Sequence, residues 1–254
     1  MNPAWFVDLH LWLAEVAVAS ARFLPAFILL PFWSGSVLSA GFRFPVVFLL
    51  GATLGQLPEE TKILTSSSAI MQLLFTEIIT GLIIAVLISL PFWGLHAAGS
   101  IIDNQRGATI SSSLSPLSGI DASELANFLN LFAVVVVLES GGFVLILDMY
   151  KRSYEIWAPG MTAFPALGVV LPFLGSLIRQ SFMLASPVIT IFLLTEIILG
   201  VLSRYASQLN AFSLALGAKS LIGFFILFLY VPVFFPEEVL RMSRFYLAVF
   251  VPEH

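Results

Sequence analysis

Long apolar stretches, separated by polar segments or by segments with proline and glycine, are the dominant pattern along this chain of 254 residues. A stretch of about 20 apolar residues has the length that an α-helix needs to cross the hydrocarbon core of a bilayer. By this criterion the sequence predicts about six helices. They cover residues 11–33, 44–57, 70–93, 125–150, 167–205 and 211–235.

Two of these stretches have unusual lengths. Stretch 44–57 is short for a full crossing and contains two glycines, which predicts a half-crossing or one arm of a hairpin. Stretch 167–205 is too long for one straight crossing, and Pro172 and Pro187 each remove a backbone hydrogen-bond donor. We therefore expect a kink or a break near Pro187.

The composition shows what solvent the chain can tolerate. Hydrophobic residues make up 59% of the sequence and charged residues only 10%, whereas ordinary soluble domains have about 25% charged residues. A chain of this length cannot cover a water-facing surface with so few charged groups. We expect an all-α, membrane-associated protein whose outer surface contacts lipid or other apolar polypeptide.

Charge and motifs argue against several function classes. The chain has no cysteine, so disulfides, thiolate metal sites and cysteine nucleophiles are excluded. The net charge of -4 and the lack of a run of like charges argue against nucleic acid. The three histidines lack metal-ligand spacing, and neither a phosphate-binding glycine loop nor a serine nucleophile elbow is present. We therefore expect neither an enzyme nor a cofactor.

Ionisable side chains inside the apolar stretches are the most informative positions. Each costs roughly 2.5 to 3.5 kcal/mol at the centre of a membrane helix. Such side chains must therefore contact protein, water or each other. These residues are Glu15, Arg22, Glu77, Glu139, Arg179, Glu196 and Lys219.

Two interpretations of these charges remain open. In a stand-alone secondary transporter or channel, buried charges form an ion path near the midplane, often in two repeated halves. In an assembly subunit, they hold neighbouring helices in register and are spread without a central cluster. Here the charges are scattered over nearly every stretch and the two halves show no repeat, which favours the assembly subunit.

The longest connection between stretches, residues 99–124, has an unusual composition. Between Gly107 and Gly119 it consists of small, hydroxylated and apolar residues without a charge. Serine, glycine and proline disfavour a helix, while the interleaved isoleucine and leucines allow loose packing. Taken alone, this composition indicates a flexible linker between helices.

Short motifs follow one another in a definite order along nearly the whole chain. They are Arg22-x-x-Pro25, Arg43-x-Pro45, Glu77-x-x-x-Gly81, Ile102-Asp103-Asn104-Gln105-Arg106-Gly107-Ala108, Ser115-Pro116-Leu117-Ser118-Gly119, Gly141-Gly142, Ser153-Tyr154-x-x-Trp157-x-Pro159 and Glu196-x-x-x-Gly200-x-x-x-Arg204-x-x-x-Gln208-Leu209-Asn210-x-Phe212, followed by Lys219. In order and spacing they resemble the FliR/SpaR/YscT/HrcT (SctT) family, the T-type export apparatus proteins of type III secretion systems. Residues 103–107 and the Tyr154/Trp157 pair are more similar to the injectisome branch than to the flagellar branch.

This resemblance implies a fold, a function and partners. It implies a single domain over residues 1–254, built of helical hairpins that pack into a larger helical assembly. With R-type and S-type subunits (SctR-like and SctS-like), such a chain forms an export gate, the inner-membrane entry pore for unfolded proteins, and it contacts the U-type (SctU-like) protein. The implied location is the bacterial inner membrane, with much of the chain above the bilayer plane in the base of the secretion system.

The resemblance also implies roles for individual residues. Segment 100–124 is a candidate plug that closes the pore at rest, and its small, uncharged side chains suit that role. The plug residues are Arg106, Gly107, Ala108, Thr109, Ile110, Ser111, Ser112, Ser113, Leu114, Ser115, Pro116, Leu117, Ser118 and Gly119. The candidate buried or assembly residues are Glu15, Arg22, Glu77, Asp103, Gln105, Glu139, Arg179, Glu196, Arg204, Gln208, Asn210 and Lys219. For Arg204, Gln208 and Asn210, contact with partner subunits and simple exposure of a helix end to water are alternatives.

Overall fold

The computed structural model describes residues 4–33, 39–55, 67–107, 123–160, 167–205 and 211–250. Within these ranges all regular structure is helical, which confirms the predicted all-α class. One short 3-10 turn, Pro31–Trp33, accompanies the α-helices. The helices are α1 (Ala4–Phe23), α2 (Ala26–Leu29), α3 (Ala40–Leu54), α4 (Ser67–Arg106), α5 (Glu124–Glu139), α6 (Gly142–Ile156), α7 (Leu167–Tyr205) and α8 (Ala211–Phe250).

Two helices are longer than the apolar stretches that predict them. Helix α4 runs through Pro91 to Arg106, well past the predicted end at residue 93. Helix α8 runs through Pro232 and Pro236 to Phe250 instead of ending at residue 235. Proline removes one backbone donor, but a helix packed among other apolar helices can continue past it.

Of the kink or break expected near Pro187, the break is absent, because α7 is helical without interruption from Leu167 to Tyr205. Proline at 187 cannot donate to the carbonyl of Met183, four residues earlier. The hydroxyl of Ser186 donates to that carbonyl oxygen at 2.8 Å. A neighbouring side chain thus satisfies the freed carbonyl, which is a known way for membrane helices to tolerate proline.

The predicted stretch 125–150 is divided into two helices. Helices α5 and α6 meet at an angle of 78°, and Gly141 between them has a φ of +76°, a conformation that glycine adopts without steric cost. A Cβ atom on Gly142 would lie 2.6 Å from the carbonyl oxygen of Val137. The adjacent glycines therefore permit a sharp turn that hydropathy did not predict.

Helix α3 has 15 residues and is short for a crossing, as predicted. It packs on α1, where a Cβ atom on Gly51 would lie only 2.7 Å from the backbone nitrogen of Ser20. By length and apolar composition, four described helices could cross a membrane, or five if the bent pair α5 and α6 forms one span. The predicted number of about six is therefore approximate.

The chain divides into two compact units. The first contains the described residues within Met1–Leu90, Val137–Phe173 and Ser243–His254, and the second those within Pro91–Val136 and Leu174–Met242. Large side chains that are almost fully buried form the core of each unit. In the first unit these include Phe23, Leu30, Ile84 and Tyr150, and in the second Leu95, Ile102, Phe192 and Phe235. The single domain over residues 1–254 stays a prediction.

Candidate functional site

A buried ion pair lies inside the first unit, between the last turn of α1 and the N-terminal third of α4. The Nε and Nη2 groups of Arg22 donate to the two carboxylate oxygens of Glu77 at 2.6 and 2.9 Å. The two side chains are only 1% and 2% exposed. Two parallel hydrogen bonds between a guanidinium and a carboxylate form the strongest and most geometrically specific type of ion pair.

Arg22 makes further hydrogen bonds within the first unit. Nη1 donates to Ser153 Oγ at 3.1 Å, and Nη2 donates to the carbonyl oxygen of Trp157 at 2.8 Å. The guanidinium carbon lies 3.9 Å from the ring centroid of Tyr154, in cation–π geometry. Tyr154 in turn donates from its hydroxyl to the carbonyl oxygen of Ala19 at 2.9 Å. This arginine therefore joins α1, α4 and the C-terminal end of α6.

Glycine at position 81 lets α4 approach α1 closely enough for this pair. A Cβ atom there would lie 2.0 Å from the carbonyl oxygen of Arg22, a distance that is too short for any real side chain. Glu77 and Gly81 are four residues apart and therefore lie on the same face of α4. The spacing Glu77-x-x-x-Gly81 thus places the anion and the close contact together.

A second polar cluster surrounds Asp103 in the second unit, where α4 ends and α5 begins. Arg106 Nε donates to Asp103 Oδ1 at 2.6 Å. Ser123 Oγ and the backbone N–H of Leu125 donate to Oδ2 at 2.5 and 3.2 Å. Ser123 Oγ also accepts from the N–H of Ala126 at 3.1 Å, so this serine caps the N-terminus of α5.

Lys219 of α8 joins this cluster to two further helices. Its ammonium group is paired with the carboxylate of Glu196 on α7 and donates to the carbonyl oxygen of Gln105 at 3.2 Å. That carbonyl belongs to the last turn of α4, where carbonyl groups lack helical partners and cations are favoured. The guanidinium of Arg106 also lies 4.9 Å from the ring centroid of Phe224 on α8.

The structure thus brings six of the candidate residues together as three ion pairs. These are Arg22 with Glu77, Asp103 with Arg106, and Glu196 with Lys219. The other candidates lie apart from these clusters: Glu15 is half-buried, whereas Glu139, Arg179, Arg204 and the side chain of Gln105 are exposed. Gln208, Asn210 and the plug residues 108–119 lie outside the described residues. Within the described ranges, no group of three or more His, Asp or Glu side chains is arranged to hold a metal ion.

Sequence reasoning did not assign roles to Ser123 and Phe224. A serine directly before an apolar helical stretch is a recognised N-cap signal, so Ser123 could have been found. Phe224 has no such signal, because it is one of 24 phenylalanines in the chain. Its contact with Arg106 depends on how α8 packs against α4.

Comparisons with known proteins show which proteins this chain resembles. Residues 13–243 match the model of the family described as bacterial export proteins, family 1. The chain is 43% identical over 245 residues to surface presentation of antigens protein SpaR of Salmonella typhimurium, covering 96% of this chain and 92% of that protein.

Two more distant relatives show which branch of the family this chain is more similar to. Yop proteins translocation protein T of Yersinia pestis is 31% identical over 219 residues, covering 82% of each chain. Flagellar biosynthetic protein FliR of Buchnera aphidicola is 23% identical over 251 residues, covering 96% of this chain and 97% of that protein. The sequence is therefore closer to the injectisome branch than to the flagellar branch, as predicted.

Proposed function

Because this chain belongs to the bacterial export proteins, family 1, we propose that it helps to form the pore through which a secretion apparatus exports proteins. At the coarser level, the chain is a subunit of a type III secretion apparatus and an inner-membrane protein. The finer proposal is that it joins R-type and S-type subunits in an export gate for unfolded proteins and contacts the U-type protein. We propose that the chain forms part of the pore and is not an enzyme.

The main support for an assembly comes from the uncovered apolar surface of α7 and α8. The chain itself buries only 28% of the most apolar part of Leu174–Tyr205 and 22% of that of Leu214–Ser243. For Ser68–Arg106 the buried share is 61%. Apolar surfaces of this extent are covered by lipid or by other polypeptides. Arg179 is exposed on the first of these helices, and a charge facing hydrocarbon costs roughly 2.5 to 3.5 kcal/mol. This charge favours polypeptide as the cover.

The buried ion pairs contribute to this proposal in a different way. Several charges inside apolar stretches need polypeptide to shield them, and for Arg22 and Glu77 that polypeptide is this chain itself. These two residues therefore support the fold of the subunit rather than its contacts with partners. Candidates for contacts between subunits are the exposed charges Glu139, Arg179 and Arg204.

We also propose that residues 106–119 form a plug that closes the pore at rest. What supports this proposal is the composition of the segment, which has no charge after Arg106 and many small hydroxylated residues. Small side chains leave room for a passing polypeptide, and the lack of charge avoids specific attraction to it. A position of the chain above the bilayer plane stays a prediction.

Co-purification with partner subunits tests the proposed assembly. An affinity-tagged chain would be expressed with R-type and S-type subunits, solubilised in a mild detergent and analysed by native mass spectrometry. We expect a stoichiometric complex that contains all three subunits. If the chain is recovered alone and transports a labelled small solute in proteoliposomes, the stand-alone transporter is correct and the export gate is not.

A further inference from the structure

One carboxylate receives hydrogen bonds from both sides of segment 108–122. Asp103 Oδ1 accepts from Arg106, which precedes the segment, at 2.6 Å. Oδ2 accepts from Ser123 Oγ at 2.5 Å and from the N–H of Leu125 at 3.2 Å, and both residues follow the segment. The end of α4 and the start of α5 therefore meet at a single side chain.

This carboxylate is buried and well supplied with donors. The Asp103 side chain is only 1% exposed, and its partner Arg106 is 19% exposed. Three hydrogen-bond donors stabilise the buried carboxylate in its charged form. If the carboxylate were removed, these donors would be left without an acceptor. Removing the charge is therefore expected to disturb the junction more than the loss of one surface contact would.

The same junction is fastened to α8. Lys219 is 6% exposed at its side chain and donates to the carbonyl oxygen of Gln105, while Glu196 neutralises its charge. Arg106 lies over the ring of Phe224, also on α8. Because these contacts hold the last turn of α4, the position of Asp103 is fixed relative to α8.

We propose that Asp103 is the positioning residue of the α4–α5 junction, whose carboxylate fixes the two ends of segment 108–122 relative to each other. The functional consequence rests on the proposed plug: loss of this carboxylate makes the resting pore leak even though the plug sequence is intact. The positioning role itself concerns only described residues and can be measured without reference to the plug.

Spin-label distances in the assembled complex test the positioning role. Asn104 and Glu124 are exposed and flank the junction, and the chain has no cysteine of its own, so Asn104→Cys and Glu124→Cys give one defined label pair in this subunit. We expect a narrow distance distribution in the parent protein and a clearly broader one with Asp103→Asn. Unchanged distributions would overturn the proposal.

Hydrogen exchange gives a second measure of the same junction. In Asp103→Asn an amide NH2 group replaces one of the two acceptor oxygens and the charge is lost, so three donors compete for one neutral acceptor. The hydrogen bond of the Leu125 N–H is thereby weakened, and exchange at the start of α5 should become about tenfold faster. Asp148→Asn is the matched control, because Asp148 pairs with Arg152 through a similar contact of 2.8 Å but both side chains are 46% exposed. Equal exchange at the start of α5 in the two variants would overturn the proposal.

A milder variant separates positioning from loss of assembly. Ser123→Ala removes one donor and keeps the buried ion pair, so it should broaden the distances less than Asp103→Asn at an unchanged yield of complex. A purely structural role would instead lower the yield in parallel with the broadening. If Asp103→Asn does not assemble, a narrow distribution in Ser123→Ala overturns the proposal and a broadened one supports it.

Ion leakage separates this inference from the proposed plug. We expect ions to leak from resting cells with Asp103→Asn and also from cells with a deletion of residues 107–118. If the deletion leaks and a broadened Asp103→Asn junction does not, the functional consequence is refuted. If the deletion itself is tight, the plug proposal fails, while the label distances still decide the positioning role.

Discussion

Arg22 and Glu77 form a two-point ion pair inside the first unit, although 55 residues separate them in the sequence. Both side chains are almost inaccessible to solvent. Arg22 has further partners in Ser153 and the carbonyl oxygen of Trp157. Because a buried charge without its partner is far more costly than an intact pair, this arrangement makes the fold sensitive to either residue.

Glu77→Gln should destabilise the protein strongly, because it leaves the guanidinium of Arg22 buried without a counter-charge. We expect a loss of about 3–5 kcal/mol in the free energy of unfolding, measured by chemical unfolding of the detergent-solubilised chain. In Asp148→Asn, which breaks an exposed pair, the loss should stay below about 1 kcal/mol.

A double variant provides a further check on this ion pair. Replacing both partners by apolar residues, Arg22→Met with Glu77→Leu, leaves no buried charge and should restore much of the lost stability. An equal loss in Glu77→Gln and Asp148→Asn would contradict the assigned importance of the pair.

Gly81→Ala should also destabilise the protein, because its Cβ atom would lie 2.0 Å from the carbonyl oxygen of Arg22 and push α4 away from α1. Overpacking of this kind typically costs about 1–3 kcal/mol. Gly175→Ala on α7 is the control, because a Cβ atom there has no neighbour within 4 Å among the described residues. Alanine at 175 should be neutral or slightly stabilising, and the difference between the two melting temperatures is the measurement. Equal melting temperatures would show that the two helices can separate without cost.

Deleting residues 107–118 should let small ions leak across the membrane of cells that contain the assembled gate, because the proposed plug would be missing. The measurement is the collapse of the membrane potential, read with a voltage-sensitive dye. Cells that express the deletion variant without the partner subunits serve as the control and should remain tight. Tight membranes in the presence of a fully assembled deletion complex would refute the plug.

Charge reversal at Arg204 should weaken co-purification with the partner subunits, because an exposed cation at the end of α7 would become an anion at the proposed contact. The recovery of partners with Arg204→Glu is compared with that for Lys151→Glu, which reverses another exposed cation, on α6. Full recovery of the complex with Arg204→Glu would show that this residue only extends from a helix end into water.

The sequence by itself determined the class of the protein, its solvent and its family. Hydropathy and the cost of a charge in lipid are properties of individual side chains summed over a window, so they can be obtained without a structure. For the same reason the sequence identified Arg22, Glu77, Glu196 and Lys219 as positions that need shielding. The ordered motifs identified the family and its injectisome branch, as the comparisons confirm.

Only the tertiary structure decided which charges meet and where the helices bend. Arg22 with Glu77, and Asp103 with Ser123, are pairs formed by packing of distant segments, which no local pattern encodes. The structure also shows that α7 continues through Pro187, where the hydroxyl of Ser186 in the same helix donates to the freed carbonyl of Met183. Pairing and helix continuity depend on the energies of specific contacts in three dimensions, whereas hydropathy records only the average environment of each segment.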